Sequence, residues 1–340
     1  MKLRYSLVLL TVLSTTLFSA CEKSPEREVQ IQGKTMGTAF HITMVTKDDT
    51  RRVEERINKR LVEINNSMST YDPESEISRF NRMTEVGRPF PISADFLEVM
   101  TAAAQLYELT GGAWDGTVNP LVNLWGFGSR RVAPRVPDPE EIDALLPKLG
   151  FRHIEITKDG ALIKHHRAVT IDLASIAKGY GVDQVAAVIS DAGIRHFLVE
   201  IGGEIFARGR RADGKPWRIG INTPKPMSGA TEVYKVVAIS DRAFATSGDY
   251  RNFFEEGGRR YSHVLDPRTG RAVENGVASV TVIAPTCTFA DGLATALMVM
   301  GPEKGLALVN QLPDVECLII VEEAGDGLSE HPSRGFRAEP

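Results

Sequence analysis

Two oxygen-bearing side chains, Asp291 and Thr295, stand four residues apart in Ala290-Asp291-Gly292-Leu293-Ala294-Thr295-Ala296. On a helix that spacing puts both on one face. A carboxylate beside a hydroxyl is the kind of oxygen set that hard cations such as Mg²⁺ accept. The same spacing fits a plainer role, with Asp291 as a helix cap and Thr295 merely buried. A second stretch, Asp172-Leu173-Ala174-Ser175-Ile176-Ala177-Lys178-Gly179-Tyr180, is expected to join a strand ending at Ile171 to a helix start. Asp172 could accept from a ribose or flavin group, Lys178 could neutralise phosphate, and backbone groups at the turn could meet a metal or phosphate. A capped helix with one solvated lysine accounts for the same residues.

Further groups are weaker singly. In Tyr261-Ser262-His263-Val264-Leu265-Asp266-Pro267-Arg268-Thr269-Gly270, a histidine precedes a tight-turn signature. Its ordinary pKa lies near working pH, so His263 is a candidate general base as well as a structural side chain. Thr246-Ser247-Gly248-Asp249-Tyr250 and Gly202-Gly203-Glu204 are small-residue turns that let backbone approach a ligand closely. Met36, Tyr71 and Trp114 could form an apolar slot for a flat ring, or belong to the core.

These residues need elements to hold them. Phe40, Ile42 and Met44 alternate within residues 39–46 and predict a strand. Val53, Ile57, Leu61, Ile64 and Met68 recur at three- and four-residue steps and predict an amphipathic helix. A second helix is expected from the cap Ser93 to Gly111-Gly112. Further strands are expected around Ile154, Leu162, Val169, Leu198, Ile219, Val237 and Val280, and helices over 176–191, 292–300 and 303–311. The mixture without strict alternation predicts an α+β fold with a mixed, mostly antiparallel sheet and packed helices. The glycine patterns of a Rossmann first turn and of a P-loop are absent from the sequence.

The 340 residues include 40 basic and 44 acidic side chains, a net charge of -4 that argues against a nucleic-acid surface. Lys2 and Arg4 precede an apolar run over 7–17, then Leu17-Phe18-Ser19-Ala20-Cys21. This reads as a secretory leader over 1–20 with a lipobox-like end, Phe18 standing where leucine is usual. Cys21 is then the expected lipidation site, followed by a polar tether over 21–30, and the acyl chains would anchor the protein to a membrane. The later sequence is read as holding no other membrane span. Cys287 and Cys317 fit two buried thiols or a single pair. The end, 325–340, is expected to be loose.

Taken together, Met36-Gly37-Thr38, Ser69-Thr70-Tyr71, Asp172 to Gly179, Gly202 to Glu204, Thr246 to Tyr250, His263 to Gly270 and Ala290 to Thr295 resemble, in order, the FAD:protein FMN transferase (ApbE) family. The resemblance implies one large domain over 31–324, FAD as bound substrate and Mg²⁺ as metal. It implies that Met36 and Tyr71 contact the flavin, with Ala113, Trp114 and Asp115 lining the same pocket. Asp172 and Lys178 are then expected on polar parts of FAD, and Leu265 on the adenosine side. The metal is expected between Ser175, Asp291 and Thr295. Ala174-Ser175 stands where family members often carry Gly-Gly, which leaves a backbone carbonyl ligand unaffected. The implied reaction is FMN transfer from FAD to a Thr or Ser of an acceptor redox subunit, with release of AMP. Two alternatives remain at this point: a pyrophosphatase giving AMP and free FMN, and a flavin-binding lipoprotein without chemistry. The leader places the protein in a bacterial cell envelope, lipid-anchored and facing the periplasm.

Overall fold

The computed structural model describes residues 26–128, 133–225, 232–249, 253–323, 325 and 327–339. The leader and Cys21 lie outside the described residues. Arg27–Thr35 (β1) and Thr38–Thr46 (β2) form an antiparallel hairpin. Its two-residue turn, Met36-Gly37, has φ of 49° and 73°. Positive φ at both positions is what a twist-matched tight hairpin requires, and methionine adopts it at a cost.

The main sheet continues through Phe197–Ile201 (β3), Glu204–Arg208 (β4), Arg242–Gly248 (β5), Val277–Ala284 (β6), Glu316–Glu323 (β7) and Gly327–Pro332 (β8). The eight strands lie side by side in chain order, each antiparallel to its neighbours. The sheet is therefore a meander whose connections carry the rest of the fold. Residues 47–196 leave it between β2 and β3 and contain Arg51–Met68 (α1), Glu76–Arg82 (α2), Ala94–Leu109 (α3) and Ala177–Asp191 (α4). Cys287–Val309 (α5) connects β6 to β7.

Side-chain alternation explains the layering. In α1 the apolar series Val53, Ile57, Leu61, Ile64 and Met68 is buried. Ser93 caps α3 by accepting the Phe96 N–H. The helices cover one face of the sheet, and inward residues such as Ile42, Val280, Val282 and Ile319 join their core. An antiparallel hairpin, Trp217–Asn222 with Val233–Ile239, packs on Ile205, Phe244, Ile283, Leu318 and Ile320 of the other face. Covered on both sides, β6 is buried along its full length. A smaller cluster built from Leu121, Trp125, Ile142, Leu149, Leu265 and Ala272 adds a wall beside the helices.

Several expectations require correction. No strand forms at Val169, and none ends at Ile171. Val169 and Ile171 are buried, but the Asn81 side chain takes the place of a neighbouring strand there: its Nδ2 donates to Ile171 O at 2.8 Å, and its Oδ1 accepts the Ile171 N–H at 2.7 Å. The expected helices over 292–300 and 303–311 are the two parts of α5, broken at Gly301 (φ 75°) before Pro302. That helix opens at Cys287, so Asp291 sits inside it and does not cap it. By length and composition α5 also meets the criterion for a membrane span, contrary to the reading above. In the fold it is a core helix against β5, β6 and α4. The polar stretch over 21–30 is not all tether, because β1 starts at Arg27. Nor is the end loose: β8 pairs along β7, and Phe336 is buried at 7 % exposure beneath the hairpin layer. Cys287 and Cys317 are both buried free thiols.

Candidate functional site

The turn from Asp172 to Lys178 is held from two sides. The Asp172 N–H donates to Gly116 O at 2.7 Å, and Trp114 Nε1 donates to Ser175 Oγ at 3.0 Å. Asp172 Oδ1 accepts the Ala174 N–H at 2.9 Å, a short-range bond that favours turns over helix. α4 then starts at Ala177. Its third residue, Gly179, fits against α5 so closely that a Cβ there would lie 2.3 Å from Cys287 O and 2.9 Å from Asp291 Cβ. The Gly179 N–H donates to Asp291 Oδ2 at 3.0 Å. This contact brings the Asp172–Lys178 turn against the Asp291–Thr295 face, residues more than a hundred positions apart in sequence.

Two clefts meet over that turn. One, of about 370 Å³, is lined by Met36, Tyr71, Asp172, Ala174 and Lys178, among others. The other, of about 330 Å³, is lined by Ala113, Trp114, Asp115, Asp172, Ser175, His263, Leu265 and Thr295, among others. Asp172 and Ala174 border both. Of the residues expected at the flavin, Met36 and Tyr71 line the first cleft, and Ala113, Trp114 and Asp115 line the adjoining second one, with Leu265. Trp114 is 1 % exposed and spends its N–H on Ser175, so it supports the wall and offers no open ring face. Tyr71, in contrast, is 87 % exposed at the rim of the first cleft. Asp115 is buried, and its Oδ1 accepts from both the N–H and the hydroxyl of Thr117. His263 stands edge-on to Phe127, with ring centroids 6.3 Å apart.

Beneath the clefts lies an ionic cluster. Lys178 Nζ is 2.6 Å from Glu204 Oε1, and Asp291 is 4 % exposed close to the same ammonium. Burial disfavours the charged form of Lys178, but the Asp291 and Glu204 charges outweigh it and hold the ammonium above the usual lysine range. Burial raises the Asp291 carboxyl, against the pull of Lys178 and the Gly179 N–H. Burial, followed by the Asp291 charge, likewise raises Glu204. Two buried carboxyl groups thus share one ammonium, and both are raised. Thr295 Oγ1 lies 3.1 Å from Ser247 Oγ, which holds the hydroxyl at the second cleft.

Asp291 offers a buried carboxylate and Thr295 a hydroxyl one helical turn later, oxygen groups of the kind hard divalent cations accept. Among the described residues no group of three or more His, Cys, Asp or Glu side chains gathers for a metal. The expected set has one carboxylate and does not need such a group. Glu204 and Ser247 were given no role on sequence grounds. Their only signals were the Gly-Gly-Glu and Thr-Ser-Gly-Asp-Tyr turns, which do not say what those side chains touch.

A sequence profile described as the ApbE family matches residues 36–319. The FAD:protein FMN transferase of Vibrio cholerae is 43% identical over 334 residues, 97% of each chain. That of Haemophilus influenzae is 39% identical over 324 residues, 93% of each. Among solved structures, the flavin transferase ApbE from Vibrio cholerae superimposes with a TM-score of 0.83 at 43% identity, covering 92% of this chain and 99% of that one. The apo form of Pseudomonas stutzeri flavinyl transferase ApbE gives 0.82 at 38% identity, covering 92% and 96%.

Proposed function

The chain belongs to the ApbE family, and from that premise we propose how its two joined clefts act on FAD. The protein is an FAD:protein FMN transferase: it binds FAD and passes the FMN part to an acceptor protein. The observation that carries the reading is the meeting of two clefts over a turn underlain by Lys178 and Asp291. A dinucleotide needs two compartments and a charged divide for its pyrophosphate. In this reading the flavin occupies the cleft of Met36 and Tyr71, and the adenosine side reaches Leu265 in the other. Asp172 and Lys178 bind polar groups between them.

Asp291, Thr295 and the backbone carbonyl of Ser175 would hold Mg²⁺. When bound, the ion offsets charge on pyrophosphate oxygens. The protein's own residues do the rest. Lys178 orients the phosphates, and the buried walls of Trp114 and Leu265 exclude water from one side. His263 takes the proton of the acceptor hydroxyl, a Thr or Ser, as its oxygen attacks the phosphorus on the FMN side. The bond from that phosphorus to the AMP oxygen breaks, AMP leaves, and a phosphodiester joins FMN to the acceptor. The acceptor is proposed to be a membrane redox subunit. Cys21 is proposed as a lipidated N-terminus that keeps the domain beside the membrane on the periplasmic side.

Incubation with FAD, Mg²⁺ and a flavin-accepting redox subunit tests the reading. Flavin fluorescence that stays with denatured acceptor supports transfer. AMP with free FMN would mean a pyrophosphatase, and intact FAD a binding protein.

A further inference from the structure

Lys178 has two buried carboxylates in reach and one charge to share. Glu204 takes it at 2.6 Å through Oε1, while Glu204 Oε2 is buried without a hydrogen-bond partner. Glu204 is 4 % exposed, and its place is fixed by the turn before it. Gly202 and Gly203 have φ of 64° and 106°, and the Gly203 N–H donates to Glu200 Oε1 at 2.6 Å. Gly202 also abuts the Lys178 stem: a Cβ there would lie 3.2 Å from Lys178 Cδ and 2.8 Å from Thr38 Cγ2. The β3–β4 turn thus both carries Glu204 and confines the lysine.

Asp291 is the other carboxylate that attracts this ammonium. An ammonium and a divalent cation on one buried carboxylate repel each other and compete for its oxygens. We infer that Glu204 is a positioning residue that holds the Lys178 ammonium off Asp291 and so keeps that carboxylate open to a divalent cation. The inference rests on the reading of Asp291 as a metal ligand. In Glu204→Gln the lysine loses its ion partner and turns to Asp291.

The test is Mn²⁺ binding to the FAD-loaded protein without acceptor, read from the electron paramagnetic resonance signal of free Mn²⁺. Glu204→Gln is expected to weaken binding roughly 10–100-fold, the usual cost of losing a residue that supports a metal ligand. Glu204→Asp, which keeps the charge, recovers most of the loss. The decisive comparison is in a Lys178→Met background, where no ammonium remains to be displaced. There Glu204→Gln is expected to change Mn²⁺ affinity little. Both members of that pair lack the ammonium, so their comparison isolates any direct effect of Glu204 on the metal even where the single variant folds poorly. Wild-type affinity in Glu204→Gln would overturn the inference, and so would an equal loss in the Lys178→Met background, which would make Glu204 a direct ligand. Absence of Mn²⁺ uptake by the wild-type protein would instead remove the metal reading, and the inference with it.

Discussion

His263 illustrates what a single side chain contributes and how that can be isolated. It lines the second cleft with Ser175 and Thr295 and is braced edge-on by Phe127. His263→Ala removes a proton acceptor but no part of the Met36 and Tyr71 cleft. FAD binding, followed by flavin fluorescence, is expected to stay near the wild-type level while transfer slows by roughly 10²-fold or more. Lys164 shows the opposite case, an ionisable group with a structural task. Its side chain is fully buried, and Nζ donates to Asn81 O and Met83 O while lying 4.8 Å from the Phe80 ring centre. Burial lowers its pKa from 10.5 to about 8. Between those values the unfolded chain binds more protons than the folded one, so the Lys164 contribution to stability is present at high pH and is lost as pH falls through about 8. Urea unfolding at pH 7.5 and 9.5 is expected to show wild type gaining about 2 kcal/mol relative to Lys164→Met as pH rises. An equal difference at both pH values would mean the lysine titrates normally. The residue types at the site were legible in sequence because their motifs are compact. What Glu204 and Ser247 do was not, since each acts on a partner supplied by a distant segment.

Among elements, the α4–α5 contact matters most, because it turns two sequence motifs into one site. Gly179 allows it, and no other residue type fits: the ideal Cβ would lie 2.3 Å from the Cys287 carbonyl oxygen, part of a helix backbone that cannot yield cheaply. Gly179→Ala is expected to cost about 1–3 kcal/mol in chemical denaturation, as overpacking does. It should also lose transfer activity in the fraction that remains folded, because the Asp291 bond to the Gly179 N–H opens. Retained activity at normal stability would show that the two helices can separate slightly without consequence. Periodicity predicted α1 well because its apolar spacing is itself the cause of burial, and the Ser93 cap marked the start of α3. It failed at Val169 and Ile171 for a related reason. Apolar alternation reports that side chains are buried, not who satisfies the backbone, and here the partner is the amide of Asn81. The start of α5 was missed by one turn because Asp183, a residue of α4, satisfies its first N–H groups. Asp183 accepts the Cys287 and Thr288 N–H bonds at 2.8 Å each, so no local capping side chain marks the beginning.

At the scale of the whole molecule, the chain ends are more consequential than their polarity suggests. β8 covers the edge of β7, and Phe336 closes the core under the hairpin layer. Phe336→Ala is expected to lower stability by about 3 kcal/mol. Truncation after Glu323 goes further by baring β7 as an open edge, and should raise light scattering on heating. A truncated chain that melts like the full one would show that this edge needs no cover. At the other end, Cys21→Ser is expected to move the protein from the membrane fraction to the soluble fraction without loss of transferase activity. Sequence polarity misread the tail because strand edges are built with polar outward residues. The sheet order was invisible for a different reason: strands were recognisable singly, but nothing local states which of them pair. That order also decides when the site comes into being. All seven pairings join strands consecutive in the chain order of the sheet, and the longest interval, residues 47–196, separates β2 from β3. Closing so long a loop is the entropically expensive and slow step of such a topology. Met36 sits before that closure, and Glu204 and Asp291 after it. Lys178 comes from inside that loop and Glu204 and Asp291 from beyond it, so the flavin cleft at Met36 is joined to the pyrophosphate divide only in a chain whose loop has closed.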